Sequence, residues 1–293
     1  MKYSKLKLVG TFVLVMMLAV AAAGCGGPEE VAETKTAELG YVPWDSETAS
    51  THVIAAVLEE EMGYEVEVTD LEPGPMFTGL AQGSFDVSVS AWLPGTHATY
   101  MEDYGDDFEN LGANLEGAKI GWVVPTYVEI DSIAEMNDNA DRFENRVVGI
   151  DPGAGLMEAS DAAMDVYELE ENFELVDGSD ATMTAALQRA IENDEWVVVT
   201  GWTPHWKFGR WDLKYLDDPE GVFGEAEHIA TIVRHGLAED DPVLYEFADN
   251  FFWESDDMGE VMVMIEDGMD PAEAASQWVG DNPDKVAEWI PEQ

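Results

Sequence analysis

The sequence predicts an α/β protein of two lobes, with parallel-rich sheets flanked by helices and a ligand cleft between the lobes. Three observations predict it. A strand–helix–helix–strand order ending in a tryptophan loop occurs twice along the chain. Further strand-like runs stand between the two copies and after the second. With 293 residues, 46% hydrophobic and 10% aromatic, the chain has the material for real cores rather than a disordered acidic tail. That length fits one large domain or two of about 100–150 residues each.

Residues 1–24 read as an address. Lys2, Lys5 and Lys7 precede an almost wholly apolar run from Leu8 to Ala23, and Ala22-Ala23-Gly24-Cys25 follows. This is the pattern of a secretory signal peptide. Small residues before the only cysteine resemble a lipoprotein signal, in which Cys25 is lipidated and becomes the mature N-terminus. A plain secretory signal or an uncleaved single-span anchor is the competing assignment. No later stretch approaches the ~20 apolar residues that a membrane span needs. Residues 25–36 read as a flexible tether. The rest is expected to divide into lobe I, residues 37–123 and 230–293, and lobe II, residues 124–229.

In the first copy, a strand from Leu39 ends at Pro43 and a helix starts at Ser46-Glu47. A helix near Met76–Gln82 leads into the run Val87-Ser88-Val89-Ser90-Ala91-Trp92-Leu93-Pro94. In the second, a strand from Val147 ends at Pro152 and a helix starts near Gly155-Leu156. A helix near Met183–Gln188 leads into Val197-Val198-Val199-Thr200-Gly201-Trp202-Thr203-Pro204. Two generic strand–helix segments that happen to look alike are the competing explanation. Lys119–Pro125 is a strand placed to carry the chain from lobe I to lobe II, and Ile229–Arg234 a strand placed to carry it back. From Asp240 onward the pattern is helical, with Trp253, Trp278 and Trp289 on apolar faces that cap the first lobe.

The charge is extreme. There are 13 basic and 62 acidic residues, a net charge of −49; losing residues 1–24 removes three lysines and no acid, which gives −52. Phosphate binding needs Lys/Arg clusters, so nucleic acid is not an expected partner. Acids spread over the whole length repel one another unless salt screens them, which points to a protein that works in high salt. A calcium-binding surface is the alternative, but Asp217-Asp218-Pro219-Glu220-Gly221 lacks the spacing of a calcium loop.

Catalysis finds little support. One cysteine excludes disulfide frameworks and multi-cysteine metal motifs. His52, His97, His205, His228 and His235 show no metal spacing, and no nucleophile elbow or P-loop is present. No cofactor and no metal is expected.

Binding finds more. Trp44, Trp92 and Trp202 each follow a strand end. Indole faces attract cations that cannot hydrogen-bond, so several around one point form a cage for a quaternary ammonium. With 10 tryptophans in the chain, core packing is the competing assignment for each. Asp151-Pro152-Gly153-Ala154-Gly155-Leu156-Met157 is a glycine turn opening a helix, whose free N–H groups and dipole suit a carboxylate. His97 could add another N–H donor. A plain tight turn and a surface histidine are the alternatives. Together these parts describe a site for a small zwitterion.

GYVPWDSETAST (40–51), EPGPMFTGL (72–80), VSAWLPGTH (89–97), LEGAKIGWVVP (115–125), GIDPGAGLM (149–157) and VVTGWTPHWKFGRWDLKYLDDPEGVFGEAE (198–227) closely resemble the glycine betaine-binding proteins of ATP-binding-cassette importers, the OpuAC-like branch. The resemblance covers about residues 37–292. It implies a type II periplasmic-binding-protein fold with a hinge and ligand-induced closure. It also implies glycine betaine or proline betaine as ligand, a membrane permease as partner, and osmoprotection as the role. The family's cage falls on Trp44, Trp92 and Trp202. Its carboxylate contacts fall on the backbone N–H groups of Gly155 and Leu156 and on the His97 side chain. Leu156 replaces the family's common Ile, and Phe77 stands where many relatives have Trp, near the cleft. Some relatives carry the halves in permuted order; here the Trp44/Trp92 half comes first.

Two other functions compete with an anchored, extracytoplasmic binding protein. A surface enzyme acting on a choline or betaine compound would need a nucleophile or metal near the cage. A sensory domain would need a signalling segment after the lobes.

Overall fold

The computed structural model describes residues 35–292. The leader, Cys25 and most of the tether lie outside the described residues.

The first unit runs β1 (Thr36–Tyr41), α1 (Asp45–Glu60), β2 (Glu65–Asp70), α2 (Pro73–Ala81) and β3 (Val87–Leu93). Strand β1 pairs in parallel with both β2 and β3. After α3 (Ala98–Tyr104), β4 (Phe108–Pro125) and two short 3-10 turns, the second unit repeats the plan. It runs β5 (Arg146–Val148), α4 (Gly155–Val166), β6 (Glu174–Val176), α5 (Asp180–Glu192) and β7 (Val199–Thr203), with β5 parallel to both β6 and β7. The chain continues through α6 (Lys207–Arg210), β8 (Leu213–Tyr215) and β9 (Glu227–Arg234). It ends in α7 (Leu237–Asp240), α8 (Pro242–Asn250), α9 (Ser255–Glu266), α10 (Pro271–Asp281) and α11 (Pro283–Trp289).

Each unit is therefore strand–helix–strand–helix–strand, not strand–helix–helix–strand as the sequence pattern suggests. The strands that pattern omits, β2 and β6, lie at the ends of the order β2-β1-β3-β9-β4-β7-β5-β6. An edge strand buries little: β2 (EVEVTD) has no fully buried residue, so it shows no apolar run.

Strand β4 corrects a second expectation. The sequence pattern predicts 119–125, and the strand has 18 residues. Its first part pairs antiparallel with β9, from Phe108↔Arg234 to Ala118↔Glu227, and its last with β7, from Lys119↔Thr203 to Val123↔Val199. The register on β9 shifts at Asn110/Gly112, Ala113/Leu115 and Glu116/Ala118. Gly112 and Gly117 have φ of 102° and 79°, values that a side chain resists. Gly112 and Gly117 thus sit at bulges inside a continuous strand. Because β4 and β9 lie side by side, the chain leaves the first unit and returns to it through neighbouring strands.

The C-terminal helices cover the first unit, with α9 and α10 packed on α1. Their core is aromatic: Trp278 stacks on Trp289 at 5.9 Å, and Trp253 meets Trp278 edge-on at 5.8 Å. Trp253 lies between α8 and α9, not on a helix; its backbone N–H donates to the Asn114 carbonyl of β4 at 3.0 Å. Among the described residues, no helix is long and apolar enough to cross a membrane.

Candidate functional site

Strand β3 is buried along its length and β7 up to Trp202, and they deliver Trp92 and Trp202 near their C-terminal ends. Trp44 is the residue before α1, and Gly155-Leu156 open α4. These four places converge. Trp44, Trp92, Trp202, His97, Gly155 and Leu156 all line one cavity, together with Glu47, Thr96, Ile120, Ile150 and Ala154.

Each indole is held by its own N–H. Trp44 Nε1 donates to Asp151 Oδ2 at 2.9 Å. Trp92 Nε1 donates to Glu47 Oε1 at 2.6 Å, and Trp202 Nε1 to Ser46 Oγ at 3.1 Å. The N–H groups are committed to the protein, so what the rings offer the cavity is carbon and π surface. Lys207, which does not line the cavity, lies over Trp202 with its Nζ 4.2 Å from the ring centre.

His97 is buried, and its Nδ1 accepts the Trp92 backbone N–H at 3.0 Å. The proton of the neutral ring therefore sits on Nε2, which has no partner among the described residues. Burial pushes the His97 pKa down to about 3, so the ring is neutral at ordinary pH. Glu227 of β9 positions this loop, accepting from the Gly95 and Thr96 N–H groups at 2.5 and 2.8 Å. Across from His97, α4 starts at Ala154 with no side-chain cap. The first N–H groups of a helix have no acceptor within it, which leaves those of Gly155 and Leu156 as donors on the cavity wall. Gly155 must be glycine: a Cβ there would lie 1.7 Å from the Thr96 carbonyl oxygen.

Behind the tryptophans lies a charged cluster that the spacing of histidines in the sequence does not reveal. Asp45, Asp180 and His205 bring their polar atoms within 4.8 Å of one another. Asp180 accepts the Asp45 N–H at 3.0 Å, which caps α1 from the second unit, and pairs with His205 Nε2 at 3.1 Å. Asp45 accepts from Trp206 Nε1. The acids are thus engaged, and buried Lys207 supplies the nearby positive charge; burial pushes its pKa down to about 7, against the pull of Asp180 and Asp45. The cluster is a polar joint between the units.

Phe77 is not a lining residue. Its ring stacks on Tyr100 at 4.4 Å and meets His97 edge-on at 5.1 Å, so it supports the histidine from behind. Glu47 is a lining residue of the cavity that sequence reasoning missed. Among 62 acids no single one stands out. The available signal was position, one helical turn after Trp44 in the first turn of α1.

Residues 35–281 match the family described as the substrate binding domain of ABC-type glycine betaine transport systems. The glycine betaine/carnitine transport binding protein GbuC of Listeria monocytogenes is 51% identical over 153 residues, 52% of this chain and 51% of that protein. The chain thus spans about half the length of that relative. In structure the chain is similar to lactococcal OpuAC in its closed form complexed with glycine betaine, at 42% identity and a TM-score of 0.84 over 88% of this chain and 100% of that one. It is similar also to ProX of Borrelia burgdorferi, a glycine betaine/L-proline-binding protein, at 39% identity and a TM-score of 0.85 over 88% and 97% of the two chains.

Proposed function

The chain belongs to the family of substrate-binding domains of ABC-type glycine betaine transport systems, and from that premise we propose that it captures glycine betaine, or a related betaine such as proline betaine, for delivery to a membrane permease. The fold is that of the type II periplasmic binding proteins.

One observation carries the ligand assignment. A single cavity sets three indoles, their N–H groups turned to the protein, beside a neutral histidine with a free Nε2–H and the uncapped start of a helix. The trimethylammonium sits among Trp44, Trp92 and Trp202, where no hydrogen bond is needed. The carboxylate accepts from Gly155, Leu156 and His97 Nε2. Residues 37–123 with 230–293 form one lobe and 124–229 the other, and the ligand favours the closed form because it touches both. That closed form is what the permease recognises. Binding proteins of ABC importers are extracytoplasmic, and lipidation at Cys25 would anchor this one to the outer face of the membrane. Osmoprotection is the role, in keeping with the acidity of the chain.

Calorimetric titration at high salt with a panel of betaines, choline and proline tests the proposal. Glycine betaine should bind, and choline should bind roughly 5- to 150-fold more weakly, because buried donors left without a carboxylate cost about 1–3 kcal/mol. Equal affinities would show that the carboxylate site is misplaced. Mass spectrometry of the recovered ligand should find it unchanged; turnover would overturn the transport reading in favour of an enzyme.

A further inference from the structure

We propose that Glu47 is the residue that makes this cavity select a cation, by joining two indoles of the cage into one hydrogen-bonded chain and facing the ligand with a carboxylate. The inference rests on the ligand assignment above and adds a determinant to it.

The geometry is directional. Glu47 Oε1 accepts from Trp92 Nε1 at 2.6 Å, and Oε2 accepts from Ser46 Oγ at 2.5 Å. Ser46 Oγ in turn accepts from Trp202 Nε1 at 3.1 Å. Each donor hydrogen has an acceptor, and both ends of the chain are cage residues, one from each unit. Both Glu47 oxygens act as acceptors, which is the pattern of the ionised group. The side chain is fully buried and lines the cavity.

Burial works against that ionised form, pushing the Glu47 carboxyl up to about 7 although Ser46 and Trp92 pull it down. Among the described residues, no Arg or Lys lines the cavity to balance the charge. Lys207 lies over Trp202 outside the cavity, and its positive charge is shared with Asp180 and Asp45. His97 is neutral, as is His205, whose pKa burial lowers strongly. A quaternary ammonium in the cage is the charge that this carboxylate lacks. It cannot form a hydrogen bond, so it leaves the Trp92–Glu47–Ser46–Trp202 chain undisturbed while its field stabilises the anion.

The test compares glycine betaine with its carbon isostere tert-butylacetate, which has the same shape and carboxylate but no positive charge. Glu47→Gln keeps a carbonyl acceptor for Trp92 and removes the charge. The ratio of betaine to isostere affinity, measured by calorimetry, should fall roughly 10-fold or more in this variant. Glu47→Met, of similar length and wholly apolar, should move the ratio in the same direction. Ser46→Ala, which breaks the chain but keeps the charge, should weaken both ligands together and leave the ratio near the parent's. A parent-like ratio in folded Glu47→Gln would overturn the proposal, as would failure of both Glu47 variants to fold, which would make the residue structural. Absence of betaine binding by the parent would instead overturn the ligand assignment.

Discussion

A tryptophan held by its own N–H at the wall of a cavity differs in kind from one that fills a core, and this chain contains both. Trp202 is tied to Ser46 across 156 residues of sequence, while Trp289, tied to the Phe252 carbonyl, stacks within the C-terminal helices. A desolvated cation–π contact is worth about 2 kcal/mol, so Trp202→Ala should weaken glycine betaine binding roughly 30-fold, and Trp202→Phe should lose less. Trp289→Ala should lower the melting temperature and leave the affinity of the folded molecules near the parent's. Calorimetry and thermal unfolding on the three variants check this; parent-like binding by Trp202→Ala would remove it from the cage. Protonation adds a second expectation. His97, held near 3, stays neutral above about pH 5 and contributes no pH dependence there. Burial raises Glu47 to about 7, and a bound cation favours its ionised form. Betaine affinity should therefore rise from pH 5.5 to pH 8, as Glu47 becomes ionised without the ligand's help. Lys207, lowered to about 7, loses its charge in the same window and pushes in the same direction. Titrations across that range should show the rise, and a flat profile would contradict the placement of Glu47.

At the scale of elements, the site depends on how closely the start of α4 approaches the loop after β3. Gly155 permits that approach, since a Cβ there would lie 1.7 Å from the Thr96 carbonyl oxygen. Backbone cannot yield as a flexible side chain does, so Gly155→Ala should push α4 off the loop and spoil the carboxylate donors. Overpacking of this kind costs about 1–3 kcal/mol, which corresponds to roughly 5- to 150-fold in affinity. Gly259→Ala is the control: it lies in α9 with open space around it and should raise stability slightly, because alanine suits a helix interior better. Titration and melting curves on the pair would show loss of binding in the first and retention in the second; equal binding in both would mean that the contact with Thr96 does not matter.

Over the whole molecule the charge dominates. The full chain carries −49, and ion pairs offset little of it: Arg142–Glu129, Arg146–Glu144 and Arg210–Glu266 all sit at the surface, where such pairs contribute about 0–1 kcal/mol each. At about 0.01 M salt the Debye length is near 30 Å, so acids across the molecule repel one another, while at about 1 M it is near 3 Å. The melting temperature should therefore climb steadily between those limits. A thermal unfolding series in sodium chloride checks this, and a flat series would remove the argument for a high-salt habitat.

What the sequence determined by itself is what local chemistry controls. Apolar runs mark β3 and β7, proline and glycine mark where strands yield to loops and helices, and the doubled order places Trp92 and Trp202 at equivalent strand ends, with Trp44 after the first strand. The glycine turn before Gly155 already states that a helix begins there with free N–H groups. Only the tertiary structure decided the rest, because the rest depends on partners far away along the chain. Strands β2 and β6 have little apolar signal of their own and exist through pairing with β1 and β5. The glycines of β4 become bulges only when β9 lies alongside. Of the 62 acids, those that build the site are ordinary in sequence: Glu47 meets Trp92 at a separation of 45 residues, Asp151 meets Trp44 at 107, and Glu227 meets Gly95 at 132. An acid's role is set by burial and by the donors that face it, and both are properties of the folded chain.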